Sequence, residues 1–171
     1  MIGLDRQREY ERLLQAHRGI VYKVAGGYSR SAADRDDLVQ EICLQLWRAF
    51  PSYDPARRFS TWMYRVALNV AISQFRRRPQ DEAARFEPLS QVHLETIGAE
   101  EGGHDERLDA LRDFIGRLGA LERALMMLYL DEHSYADIAE ILGISETNVA
   151  TKINRIKHRL RGQMTAEARG A

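Results

Sequence analysis

The sequence predicts an all-α protein: two small helical domains joined by a flexible linker. Three observations carry that expectation. Apolar residues recur at helical spacing on both sides of the chain's middle, with no alternating strand pattern between turn signals. The middle, residues 80–106, is acidic, holds Pro88, Gly98, Gly102 and Gly103, and has no sustained apolar period. Charge also changes sharply at its edges: residues 1–79 carry a net +6, residues 80–109 a net −7 and residues 110–171 a net +1. The expected boundaries are therefore 1–79, 80–106 and 107–171, an organisation that a chain of 171 residues accommodates.

Taken in order, Leu13, Leu14, His17, Val21 and Val24 fall near one face of a first helix. Leu38, Ile42, Leu46 and Ala49 form the stripe of a second. Trp62, Val66 and Val70, with Ala67 beside them, form that of a third. In the second domain Leu108, Leu111, Ile115 and Leu118 mark one helix, and the very apolar run 121–130 marks another.

The strongest local signal follows. Ser134 is placed to cap a helix, and Tyr135, Ile138, Ala139 and Leu142 recur at i, i+3, i+4 and i+7 behind it. Gly143 permits the left-handed conformation that ends a helix, Ile144 plugs the turn, and Ser145 caps the next helix with Asn148 at its third position. This is a helix-turn-helix pattern. On the second helix Val149, Ile153, Ile156 and Leu160 form an inner stripe. Thr147, Thr151, Asn154 and His158 lie about 200° around from it on the 3.6-residue period. Lys152, Arg155 and Arg159 line one flank, Lys157 and Arg161 the other, and 147–161 holds five Lys/Arg and no acid. Short polar groups and arginine reach base edges in a major groove, and flanking cations meet phosphates. A solvated basic face on an ordinary amphipathic helix is the plainer alternative, against which the two caps and the glycine turn stand in register.

In the first domain, Asp37, Gln40, Glu41 and Leu44 share an exposed-to-flanking face of the second helix; by itself this is an acidic helix start of the kind the helix dipole favours. Cys43 reads as a small apolar residue. Farther on, Tyr53, Phe59, Trp62 and Tyr64 are interleaved with Arg57, Arg58 and Arg65. Rings stack on unpaired bases and cations hold a backbone, so the mixture suits single-stranded nucleic acid, although each ring could equally pack a core. Asn69, expected to be partly buried amid apolar residues, needs hydrogen-bond partners that an extruded base edge could supply.

Other classes find little support. No apolar run approaches the roughly 20 residues of a membrane span, and residues 1–11 lack the apolar core of a signal peptide. A single cysteine forms no internal disulfide, so a reducing, cytoplasmic location is expected. The histidines at 17, 93, 104, 133 and 158 lack metal-ligand spacing. There is no Gly-rich phosphate loop and no H-E-x-x-H motif. Neither catalysis nor a metal or cofactor is expected.

The run Asp36-Asp37-Leu38-Val39-Gln40-Glu41, followed by Phe59-Ser60-Thr61-Trp62-Met63-Tyr64-Arg65-Val66-Ala67-Leu68-Asn69 and a basic helix end, resembles region 2 of extracytoplasmic-function (ECF) RNA polymerase sigma factors. The helix-turn-helix from Tyr135 to Leu160 resembles their region 4, and together the matches span nearly the whole chain in the family's order. The resemblance implies a subunit that directs promoter-specific initiation with bacterial core RNA polymerase. Asp36, Asp37, Gln40, Glu41 and Leu44 would meet the β′ clamp helices, and region 4 the β flap. Phe59, Ser60, Thr61, Trp62, Arg65 and Asn69 would act on the melted −10 strand, with Asn69 lining the pocket for a flipped base. Thr147, Ala150, Thr151, Asn154 and Arg155 would face the −35 duplex, with Lys152 and Arg159 on phosphates. An anti-sigma partner is implied, and by analogy the acidic linker would enter the RNA-exit path. Two positions depart from the family pattern: Ala150 stands where many relatives carry a longer polar or basic residue, and Asn154 where some carry an aromatic, so a generic −35 sequence is not expected. The competing readings are a stand-alone helix-turn-helix regulator, an enzyme and a pure interaction protein.

Overall fold

A computed structural model of the chain describes residues 2–78 and 105–170. Most of the linker expected over 80–106, with its analogy to an RNA-exit segment, lies outside the described residues. The last two residues assigned to it do not belong to a linker: Asp105 caps a helix by accepting from the Arg107 amide at 3.0 Å, and Glu106 opens that helix. Contacts divide the chain into two units, residues 1–77 and 78–171.

The first unit is a bundle of α1 (Ile2–Tyr28), α2 (Ala32–Ala49) and α3 (Phe59–Arg77), each packed against the other two. A kink at His17, whose φ of −120° leaves the helical region, divides α1. α2 begins where Ser31 accepts from the Asp34 amide at 3.1 Å, satisfying a donor that a helix start leaves open, while the Asp34 carboxylate accepts from the Arg30 amide just before the cap at 3.0 Å. Its stripe Leu38, Ile42 and Leu46 is fully enclosed, facing Val21, Val24, Ala25 and Tyr28 of α1 and Met63, Ala67, Leu68 and Ala71 of α3 in one core.

The stripe expected on α3 is displaced. Trp62, Val66 and Val70 lie half-buried on its shoulder, and the buried positions are Phe59, Met63, Tyr64, Ala67, Leu68 and Ala71. The cause is that α3 is apolar around most of its circumference, so two overlapping stripes satisfy the same period.

The second unit holds α4 (Glu106–Gly116), α5 (Ala120–Leu130), α6 (Tyr135–Leu142) and α7 (Glu146–Gly170). α7 packs against the other three. The expected α4 stripe shifts too: Leu108 is 42% exposed, Leu111 and Ile115 are half-buried, and Ala110 and Phe114 face inward with Leu118. α5 is buried along most of its length, including Arg123, which is 1% exposed and donates to the Gly116 carbonyl at the end of α4. α5 ends without a glycine. Glu132 takes the left-handed conformation at φ 62°, and the His133 amide reaches back to the Leu128 carbonyl at 3.1 Å.

Candidate nucleic-acid interface

The helix-turn-helix is built from its caps. Ser134 accepts from the Asp137 amide at 3.1 Å and so starts α6. Gly143, at φ 69°, ends it, with the amides of Gly143 and Ile144 both donating to the Ala139 carbonyl. Ser145 then accepts from the Asn148 amide at 3.1 Å and starts α7. Replacing Ser145 by alanine is expected to lower the second unit's stability by about 1 kcal/mol, read as a lower urea midpoint with an unchanged slope. An unchanged midpoint would mean that water serves the Asn148 amide equally well.

Ile138 and Ile141 of α6 and Val149, Ile153 and Ile156 of α7 are buried with Ala124, Leu125 and Leu128 of α5, whereas Tyr135, Ala139, Leu142 and Leu160 of the expected stripes are half-buried. That core sets the orientation of α7. Thr147, Thr151, Asn154, Arg155 and His158 are exposed on the opposite side, and Ala150 and Lys152 are half-buried at its margins. Thr151, Asn154, Arg155, His158 and Arg159 line an open surface groove. The Thr151 hydroxyl donates to the Thr147 carbonyl at 2.9 Å, so in this rotamer it offers lone pairs outward as an acceptor. Arg159 is not a free flank cation: it pairs with Glu122 and lies 5.9 Å from the Phe114 ring centroid. Lys157 caps the Tyr129 ring at 4.2 Å.

In the first unit the connection between α2 and α3 positions a second face. A 3₁₀ turn, Phe50–Ser52, leads into Tyr53, whose hydroxyl donates to the Arg57 carbonyl at 2.9 Å. Asp54 accepts from the Ala56 amide and tightens the same loop. The rings of Phe50, Tyr53 and Phe59 form a platform on which Trp62 rests, with centroids 6.2, 5.2 and 5.3 Å away. Phe59 is 6% exposed and also meets His17, while Tyr64 is 3% exposed. Neither ring is open to stack on a base as the interleaved pattern suggested; both are core, and Phe59 supports Trp62. Ser60 and Thr61 are half-buried. Asn69 corrects the expectation of a partly buried amide: it is exposed, as is Arg65. One turn apart on α3, Trp62, Arg65 and Asn69 share a single outward face, because the core lies on the Met63–Ala67–Ala71 side.

A third face lies on α2. Asp36, Asp37 and Gln40 are exposed, and half-buried Glu41 accepts from Gln45 at 2.9 Å. Leu44 and Trp47 are 42% and 43% exposed. Trp47 was not among the expected residues, although its place three residues after Leu44 puts it beside the same face. Tyr10 backs it, ring against ring at 5.0 Å, and donates its hydroxyl to the Cys43 carbonyl at 3.0 Å. Burial pushes the Tyr10 phenol up to about 12 and raises the Cys43 thiol above its ordinary range, which disfavours the reactive thiolate. Among the described residues no helix is long and apolar enough to cross a membrane, and no group of three His, Cys, Asp or Glu is gathered for a metal.

Residues 13–79 match the model of Sigma-70 region 2, and residues 108–160 that of Sigma-70 region 4. A three-helix unit matching region 2 and a helix-turn-helix unit matching region 4 together define the sigma-70 class of transcription factor. The chain is 28% identical over 168 residues to the ECF RNA polymerase sigma factor SigW of Bacillus subtilis, covering 92% of this chain and 90% of SigW. It is 31% identical over 151 residues to the ECF RNA polymerase sigma-E factor of Escherichia coli K12, covering 80% of this chain and 78% of that protein. Its fold is similar to that of CnrH in complex with the cytosolic domain of CnrY, with a TM-score of 0.66 at 24% identity over 94% of this chain and 90% of CnrH. The chain belongs to the ECF RNA polymerase sigma factors, which direct transcription initiation.

Proposed function

We propose that the three faces divide the work of initiation. The α2 face, with Asp36, Asp37, Gln40, Glu41 and Leu44, docks on the β′ clamp helices of core RNA polymerase, and exposed Trp47 extends its apolar part. The α3 face captures the melted −10 strand: the outer side of Trp62 stacks, Arg65 holds the backbone and Asn69 reads a flipped base, while Ser60 and Thr61 shape the margin. The α7 face lies in the −35 major groove, with Thr151, Asn154 and Arg155 toward base edges and Thr147 and Ala150 beside them. Lys152 meets phosphates, and Arg159 does so on exchanging its Glu122 partner. Residues 1–79 then act as region 2, 80–104 as connection and 105–171, from the Asp105 cap onward, as region 4, which also meets the β flap. The chain works in the cytoplasm without catalytic chemistry of its own, and an anti-sigma protein holds it inactive. The solved neighbours CnrH with CnrY, and RpoE with the anti-sigma factor NepR from Bartonella quintana, support that last part.

The observation that carries this reading is the shared outward face of exposed Arg65 and Asn69 with half-buried Trp62. A stand-alone duplex-binding regulator has no use for it. Run-off transcription with core polymerase on fragmented genomic DNA tests the proposal: defined transcripts are expected, and failure to direct initiation anywhere, with tight operator binding by the chain alone, would replace it with the regulator. Asn69→Ala is expected to slow promoter opening while leaving core binding intact, because its side chain is exposed and supports no packing. Permanganate reactivity of unpaired thymines and a core pull-down read the two effects; loss of core binding would give Asn69 a structural role.

A further inference from the structure

The family-matched segment stops at residue 160, yet α7 continues unbroken to Gly170. We propose that this extension is a second DNA-contact surface, gripping the phosphate backbone beside the −35 duplex through Arg161 and Arg169. It rests on the reading of α7 as the duplex-facing helix and extends that surface by two to three turns.

Register is the first support. On the 3.6-residue period Arg161, read from the sequence as a flank cation, borders the stripe of Thr147, Thr151, Asn154 and His158, Thr165 and Arg169 continue it, and all of these are exposed. Surface shape is the second. A shallow, open patch of α7 bordered by His158, Arg161, Gly162, Thr165, Ala166 and Arg169 adjoins the one bordered by Thr151, Asn154 and Arg155, and His158 belongs to both, so the outward face is continuous. Charge is the third: residues 161–170 carry two Arg against one acid and follow directly on the four Lys/Arg of 147–160. Distance agrees with phosphates rather than bases. At 1.5 Å per residue, Arg161 lies about 10 Å and Arg169 about 22 Å beyond Asn154 along the axis. A major groove is about 12 Å wide, so a helix centred on Asn154 has left the base edges by Arg161 and meets the sugar–phosphate wall, and Arg169, about 12 Å farther on, meets the backbone only where the helix runs on along that wall.

Salt-dependent binding of the full-length chain, assembled with core polymerase, tests this on a promoter duplex found by run-off transcription and on a random-sequence duplex of equal length. For Arg161→Gln with Arg169→Gln, the slope of log affinity against log salt is expected to become shallower by about 1.8, which is about 0.9 for each phosphate that no longer meets a cation. Affinity should fall by the same factor on both duplexes, and lysine at both positions should restore most of it. An unchanged slope, a loss confined to the promoter sequence, or a defect in core binding with DNA affinity intact would each overturn the proposal, the last by assigning the surface to polymerase. Asn154→Ala with Arg155→Ala serves as the control. If that pair also leaves DNA binding unchanged, the reading of α7 itself fails; if only the distal pair is silent, the extension alone does.

Discussion

Asn154→Ala combined with Arg155→Ala is expected to cost about 2–6 kcal/mol of discrimination between the preferred −35 sequence and its variants, since each good base contact contributes about 1–3 kcal/mol. Both side chains are exposed on α7 and neither takes part in a cap, so the fold has no reason to weaken. Alanine also favours helix over asparagine. The loss should therefore fall on sequence preference: competition binding against a pool randomised at the −35 element would show a flattened preference at the contacted positions and unchanged thermal stability. Uniform weakening across all sequences would instead make these residues phosphate contacts. Arg159 provides the contrast. Its guanidinium is tied to Glu122, and an exposed pair of this kind contributes about 0–1 kcal/mol, so Arg159→Ala should leave sequence preference intact.

Trp62→Ala is the second large expected effect, and it has two parts. The ring rests against Phe50, Tyr53 and Phe59, and aromatic pairs contribute about 0.5–1.5 kcal/mol each beyond their burial. A fully buried Trp→Ala change costs about 3–5 kcal/mol; half-buried Trp62 should lie near or below the lower end. Its outward side is the stacking surface proposed for an unpaired base, where alanine forfeits about 1–3 kcal/mol more. Phe59→Leu separates the parts. Phe59 is 6% exposed, so its truncation lowers the urea midpoint but removes no stacking surface. Promoter opening should fall further in Trp62→Ala than in Phe59→Leu once the two are compared at conditions of equal folded fraction. Equal defects would make Trp62 a packing residue.

The difference between those two rings marks where sequence reading stops. Both stand in one interleaved aromatic–arginine run, and nothing local separates the ring that supports from the ring that presents. The platform needs Phe50 and Tyr53 from the preceding turn and His17 from α1, which come together only when the helices pack. Asn69 follows the same logic: flanked by Leu68 and Val70, it reads as half-enclosed, and it faces solvent because the bundle takes the opposite side of α3.

By itself the sequence determined the helical class, the helix-turn-helix and the outward face of α7. These depend on interactions within a few residues: Ser134 and Ser145 to amides three positions on, Gly143 at φ 69°, and an inner stripe with only one possible orientation because the opposite face is polar. Only the tertiary structure decided the register of α3, the inward turn of Ala110 and Phe114 in place of Leu108, the burial of Arg123, and the pairing of Arg159 with Glu122, 37 residues away. Where a helix is apolar on several sides, or a cation has a choice of partners, the deciding energy is contact with another element, and no periodicity within the segment records which side that element takes.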